Sequence, residues 1–167
     1  KIIGLLPGSR NNEIHSLLEL MIDSATEIRK QVKDCQFILP VANTLNPEIF
    51  RERLKINPLN IKIVEGKSYD VMNCCDFLII ASGSATLEAG LLGCPMVIVY
   101  RLNFVTYWLA RILVKIKLYG LINIVAEEEV VTELIQNEAT VENVTKEAVK
   151  ILTDSKTHEN LRSRLLQ

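Results

Sequence analysis

Apolar residues fall on consecutive positions in short runs at Lys1–Leu6, Gln36–Val41, Ile61–Glu65, Asp76–Ala81 and Met96–Tyr100, and the stretches between them carry helical spacing. Unbroken runs such as Phe77-Leu78-Ile79-Ile80 and Val97-Ile98-Val99 suit a parallel sheet covered on both faces, since a half-exposed strand would alternate with polar residues. The rhythm predicts an α/β domain, and right-handed crossovers make it a doubly wound, Rossmann-like parallel sheet. Beyond Tyr100 the pattern predicts an amphipathic segment Asn103–Lys117, a linker around Tyr119–Glu129, and C-terminal helices near Val130–Gln136, Val141–Leu152 and Ser155–Leu166. Thr140 with Asn143, and Asp154-Ser155, supply capping side chains for the last two helix starts. No repeat or low-complexity tract divides residues 1–167, so we expect a single domain.

Composition narrows the chemistry. With 49% hydrophobic residues the chain can build one real core. Its 19 basic and 20 acidic residues leave a formal charge of −1, without the global field that gathers nucleic acid. Cys35, Cys74, Cys75 and Cys94 form no CxxC pair, and His15 and His158 lie far apart, so metal-ligand spacing is missing and a reduced cytoplasmic setting fits best. No stretch reaches the roughly 18 uninterrupted apolar residues of a spanning helix, and we expect a soluble or membrane-peripheral domain. Lys1-Ile2-Ile3-Gly4-Leu5-Leu6 reads as a core strand from the first residue, which leads us to expect a piece of a longer protein.

Ligands of doubly wound sheets sit beyond the carboxyl ends of the strands, which directs attention to the loops after the first and fourth strands. After the first comes Pro7-Gly8-Ser9-Arg10. Gly8 permits a tight turn, the helix start after it offers free N–H groups to an anion, and Arg10 adds a forked positive donor. A plain strand-to-helix turn with a solvated arginine fits that loop equally well. After the fourth comes Ser82-Gly83-Ser84-Ala85-Thr86-Leu87-Glu88. Here small residues leave room for a phosphate to approach the backbone, and Thr86 adds a hydroxyl in the first turn. Glu88 follows Ser84 by one helical turn, where its carboxylate can accept hydrogen bonds from a ribose diol. A serine-capped helix with a glutamate near its N-terminal dipole is the alternative.

From Ala89 to Ala126 there is no Asp or Glu, while Arg101, Arg111, Lys115 and Lys117 are present. The segment Asn103–Lys117 mixes Trp108 and other apolar anchors with cations, the composition of a helix lying on an anionic lipid surface. We expect Trp108, Arg111, Lys115 and Lys117 to meet membrane or an acyl chain; a helix covering the sheet with its cations reaching to water is the competing reading.

Taken in order, LLPGSRNNEI, ILPVAN, IIASGSATLEAGLLGCPMVIVYR, YWLARILVKIK and INIVAEEEVVTELIQNEAT resemble the motifs of the C-terminal half of the lipid-A-disaccharide synthase family, from about Lys1 to Ala139. The resemblance implies one half of a GT-B fold, the half that holds the sugar nucleotide. The reaction it implies joins UDP-2,3-diacylglucosamine to 2,3-diacylglucosamine 1-phosphate, without metal or cofactor, at the cytoplasmic face of the bacterial inner membrane. By the same resemblance Gly8, Ser9 and Arg10 contact the donor, with Arg10 on its diphosphate. Ser82, Gly83, Ser84 and Thr86 cradle phosphate, Glu88 holds the ribose, and Asn123 lines the catalytic site. This chain has Ile122 before Asn123 where the family usually has proline, and Ala126-Glu127-Glu128 where it usually has Ala-Gly-Arg.

An inverting transfer needs a base for the acceptor hydroxyl and positive groups for the departing diphosphate. This half supplies the second; the family's proposed catalytic aspartate belongs to an N-terminal half, so residues 1–167 alone are expected to bind UDP without turnover. Two other readings stay open. One is another GT-B enzyme of a UDP-amino sugar, such as a peptidoglycan glycosyltransferase or a non-hydrolysing epimerase; the other is a non-enzymatic nucleotide-binding module.

Overall fold

The computed structural model describes residues 1–9, 11–55, 59–101 and 118–167, with only the backbone for residues 11–13. The expected strands form at Ile2–Leu6 (β1), Gln36–Val41 (β2), Ile61–Glu65 (β3), Phe77–Ala81 (β4) and Met96–Tyr100 (β5). Every pairing in the six-stranded sheet is parallel, in the order β3-β2-β1-β4-β5-β6, where β6 is Glu133–Ile135. The doubly wound sheet expected from the apolar runs is therefore the fold.

The runs are unbroken because each face of the sheet takes alternate residues. Ile3, Leu5, Ile79, Val97 and Val99 join a core with the long helix α1 (Asn11–Gln31) and α6 (Val141–Thr153). Leu6, Leu78, Ile80, Met96 and Ile98 point the other way, toward Met72 of α3 (Ser68–Cys74), Ala89 of α4 (Ser84–Leu91) and Ile122 of α5 (Leu121–Ala126). Burying both faces removes apolar surface from water twice over, at about 25 cal/mol per Å². A short helix, α2 (Glu48–Leu54), links β2 to β3, and α7 (Ser155–Leu165) closes the described chain.

Two caps follow the sequence reading. The Thr140 side chain accepts the Asn143 N–H at 3.2 Å, and the Asp154 carboxylate accepts the Lys156 N–H at 3.0 Å. Two expectations fail. The helix expected near Val130–Gln136 is instead strand β6 followed by a single 3-10 turn, Gln136–Glu138. Val130, Val131, Leu134 and Ile135 have helical spacing, but the β-branched Val130, Val131, Thr132 and Ile135 favour extended backbone, and β5 offers Glu133–Ile135 an open edge. The linker expected around Tyr119–Glu129 contains helix α5, whose Ile122 is 8% exposed and packs against α4.

Glu127 ends α5 in the left-handed conformation, φ 58°, with its N–H on the Ile124 carbonyl at 3.3 Å. A side chain there carries a steric penalty that glycine avoids. Glu127→Gly is therefore expected to raise stability by about 0.5–1 kcal/mol, read from the urea midpoint. Thiol chemistry checks the second core face: burial pushes the Cys94 thiol up to about 12 and raises Cys75 as well, whereas Cys74 is exposed. At pH 8 in the native state a thiol reagent should label Cys74 rapidly, and Cys35, Cys75 and Cys94 only after denaturation.

Candidate functional site

The strand order reverses between β1 and β4, so the connections leaving these neighbours run to opposite faces and open a crevice at their carboxyl ends. A cleft of about 210 Å³ lies there. Its walls are Leu6-Pro7-Gly8-Ser9 at and beyond the end of β1, Pro40 and Ala42 at the end of β2, Ser68 at the start of α3, and Ile80 through Ala85 from the end of β4 into α4. The structure thus brings together Gly8, Ser9, Ser82, Gly83 and Ser84. Arg10, the next residue after Ser9, lies outside the described residues, as do Trp108, Arg111, Lys115 and Lys117.

Gly8 has φ 99°, a left-handed conformation that side chains rarely adopt and that swings the chain from β1 into α1. Gly83 differs. Its φ of 165° is ordinary extended backbone, and a Cβ there would meet no atom within 4 Å. Neither conformation nor packing requires glycine at this position; the open space beside it is what a side chain would fill. The N–H groups of Gly83, Ser84 and Ala85 and the Ser84 hydroxyl have no partner among the described residues, and they sit at the positive end of the α4 dipole. No described residue lining the cleft carries an ionisable side chain, so an anion there meets hydroxyls and N–H dipoles.

Two hydroxyls expected to face a phosphate are committed to the protein. The Ser82 N–H donates to the Val99 carbonyl at 3.2 Å and its hydroxyl donates to the Tyr119 carbonyl at 2.8 Å, so Ser82 fixes the turn while Gly83 and Ser84 present it. Thr86 is fully buried, and its hydroxyl donates to the Gly83 carbonyl at 2.7 Å from behind the loop. Glu88 is exposed on α4 with no side-chain partner among the described residues, one turn beyond the cleft wall.

Asn123 is not among the described residues that line the cleft. It was expected to line the catalytic site, but it is fully buried and its amide is saturated. Its Nδ2 donates to the Val131 carbonyl and to Glu133 Oε1, both at 2.8 Å, and its Oδ1 accepts the Val130 and Val131 N–H groups at 2.9 and 3.0 Å. Two donors and two acceptors are all an amide has, so nothing remains for a substrate. Arg101, one of the cations in the acid-free stretch, is likewise tied down, donating to the Ser16 and Ala139 carbonyls. Pro40, Ala42 and Ser68 escaped the sequence reading because only the loops after the first and fourth strands were searched, while the second and third strands also end at this edge.

Residues 1–166 match the protein family described as lipid-A-disaccharide synthetase. A lipid-A-disaccharide synthase from Nitrosococcus oceani is 39% identical over 164 residues, which cover 98% of this chain and 42% of that protein. The chain thus spans under half the length of such relatives. Among solved structures, WaaG, a glycosyltransferase involved in lipopolysaccharide biosynthesis, superposes with a TM-score of 0.67 at 14% identity, covering 99% of this chain and 41% of that one. The UDP-GlcNAc 2-epimerase of Neisseria meningitidis bound to UDP-GlcNAc gives a TM-score of 0.63 at 15% identity, over 97% of this chain and 38% of that one. The fold is thus a Rossmann-like half of the GT-B architecture.

The saturated amide generates a direct expectation. Asn123→Ala strands two N–H groups and one carbonyl in a buried place, and should cost about 3 kcal/mol or more in urea unfolding.

Proposed function

The chain belongs to the lipid-A-disaccharide synthetase family, and on that premise we propose that it is the donor-binding half of a glycosyltransferase that transfers diacylglucosamine from UDP-2,3-diacylglucosamine to 2,3-diacylglucosamine 1-phosphate. The observation that carries this reading is the set of N–H groups from Gly83 to Ala85, without partners among the described residues, where the strand order reverses between β1 and β4. There the donor diphosphate would lie on the start of α4, with the Ser84 and Ser9 hydroxyls beside it. Glu88, one turn along α4, would accept hydrogen bonds from the ribose diol, kept from the diphosphate's charge by the neutral sugar between them.

Transfer leaves UDP with an additional negative charge, and groups poised where that charge develops lower the barrier. The α4 N–H groups do so without reorganising, and Arg10 would add a forked cation that follows the Gly8 turn. No described residue lining the cleft is a carboxylate, which supports assigning the base to an N-terminal half of the same enzyme. The cleft's volume is below the roughly 300–1,000 Å³ typical of small-molecule sites, as a site completed by further residues would be. We place the acyl chains or the membrane surface against Trp108, Arg111, Lys115 and Lys117, and the enzyme at the cytoplasmic face of the inner membrane. No helix among the described residues is long and apolar enough to cross a membrane.

Calorimetric titration of the full-length protein with UDP, with GDP and CMP as controls, tests the site. Binding should be uridine-selective, and Glu88→Gln and Arg10→Ala should each weaken it by about tenfold, in line with bonds to charged groups. Gly83→Ala should weaken UDP binding while leaving the unfolding midpoint nearly unchanged, because its methyl enters open space. Equal binding of all three nucleotides, or none of these variants affecting UDP, would remove the donor from this cleft.

A further inference from the structure

Glu133 lies on the edge strand β6, outside the cleft, yet it holds a set of contacts that ends at the cleft wall. Its Oε2 accepts the Tyr119 N–H at 2.7 Å, and its Oε1 accepts the Gly120 N–H at 2.8 Å and Asn123 Nδ2 at 2.8 Å. The Tyr119 carbonyl in turn takes the Ser82 hydroxyl at 2.8 Å. A Cβ on Gly120 would collide with Ile98 Cδ1, so the 119–120 backbone is seated between β5 and the Glu133 carboxylate. Ser82 is thereby held at two points, on Val99 of the sheet and on Tyr119, just before the chain turns through Gly83 into α4.

Resting on the reading of that turn as the donor phosphate site, we propose that Glu133 is a positioning residue for donor binding, acting through Tyr119 and Ser82. The carboxylate does two things. It fixes where the Tyr119 carbonyl stands, and so the orientation of Ser82 and the N–H groups that follow it. It also gives the Tyr119 and Gly120 N–H groups, which lie just before α5, a resident acceptor that keeps this segment in one place. Glutamine is not equivalent here. With Oε1 kept as acceptor for Gly120 and Asn123, its NH₂ would face the Tyr119 N–H, donor against donor, and push that segment off Ser82.

The test uses the full-length protein and the variants Glu133→Gln, Ser82→Ala and their combination. Hydrogen–deuterium exchange without ligand should rise at Ser82 and the first bonded amides of α4 in each single variant. UDP affinity should fall about fivefold in each, and the double variant should lose little more than either alone, because both changes cut the same link. A Glu133→Gln protein that is less stable but exchanges and binds UDP like the parent would reduce Glu133 to a structural role and overturn the proposal. So would independent, multiplying losses in the double variant. If Glu133→Gln does not fold, Ser82→Ala still decides: unchanged exchange at α4 and unchanged UDP affinity would sink the link. Faster exchange at α4 in a protein that, even unmodified, does not bind UDP would leave Glu133 in control of the turn and reject the phosphate reading instead.

Discussion

Parallel pairing of β1 with β4 is the constraint on which the rest of this structure depends. Residues Ile3 to Leu6 and Phe77 to Ile80 run side by side at the centre of the sheet, buried on both faces, and neither strand tolerates a polar side chain between its ends. Polar chemistry is therefore confined to the residues immediately past those ends. Because the sheet grows outward in both directions from this pair, the loops leaving it part company and the crevice between them opens. The glycines and serines gather there because the backbone must turn within a few residues, at Gly8 with a left-handed conformation and at Gly83 with free space at its Cα.

A second layer of order lies behind the cleft wall. The buried amide of Asn123 ties α5 to Val130 and Val131, and the Glu133 carboxylate gathers the N–H groups of Tyr119 and Gly120. Buried polar groups of this kind stabilise only when every member finds its partner, and here the amide is complete. The same bonds bring a stretch remote in sequence to Ser82, 37 residues upstream of Tyr119. That arrangement accounts for a buried asparagine near a candidate ligand site without giving it a ligand.

Departures from the usual family pattern also find physical places. Ile122 is accommodated as an apolar contact between α5 and α4, and Glu127 occupies a left-handed cap position. Glu128 is exposed and pairs with Arg164 of α7 at 3.1 Å, a surface ion pair of small energetic weight. None of the three reaches the described lining of the cleft.

The sequence by itself determined the strands β1 to β5, the two-sided burial, the helix caps at Thr140 and Asp154, and the two loops that meet at the cleft. Each of these is a local matter: an apolar run, a hydroxyl or carboxylate before a helix, a glycine where the chain turns. It did not reveal β6 or α5, because a three-residue strand carries no periodicity of its own and forms only where β5 presents an unpaired edge. Nor could it separate Gly83 and Ser84, whose polar groups face open space, from Ser82, Thr86 and Asn123, whose polar groups are consumed inside the protein. Residue type states what a side chain can bond; only the packing of segments far apart in the chain decides which of those bonds are already taken.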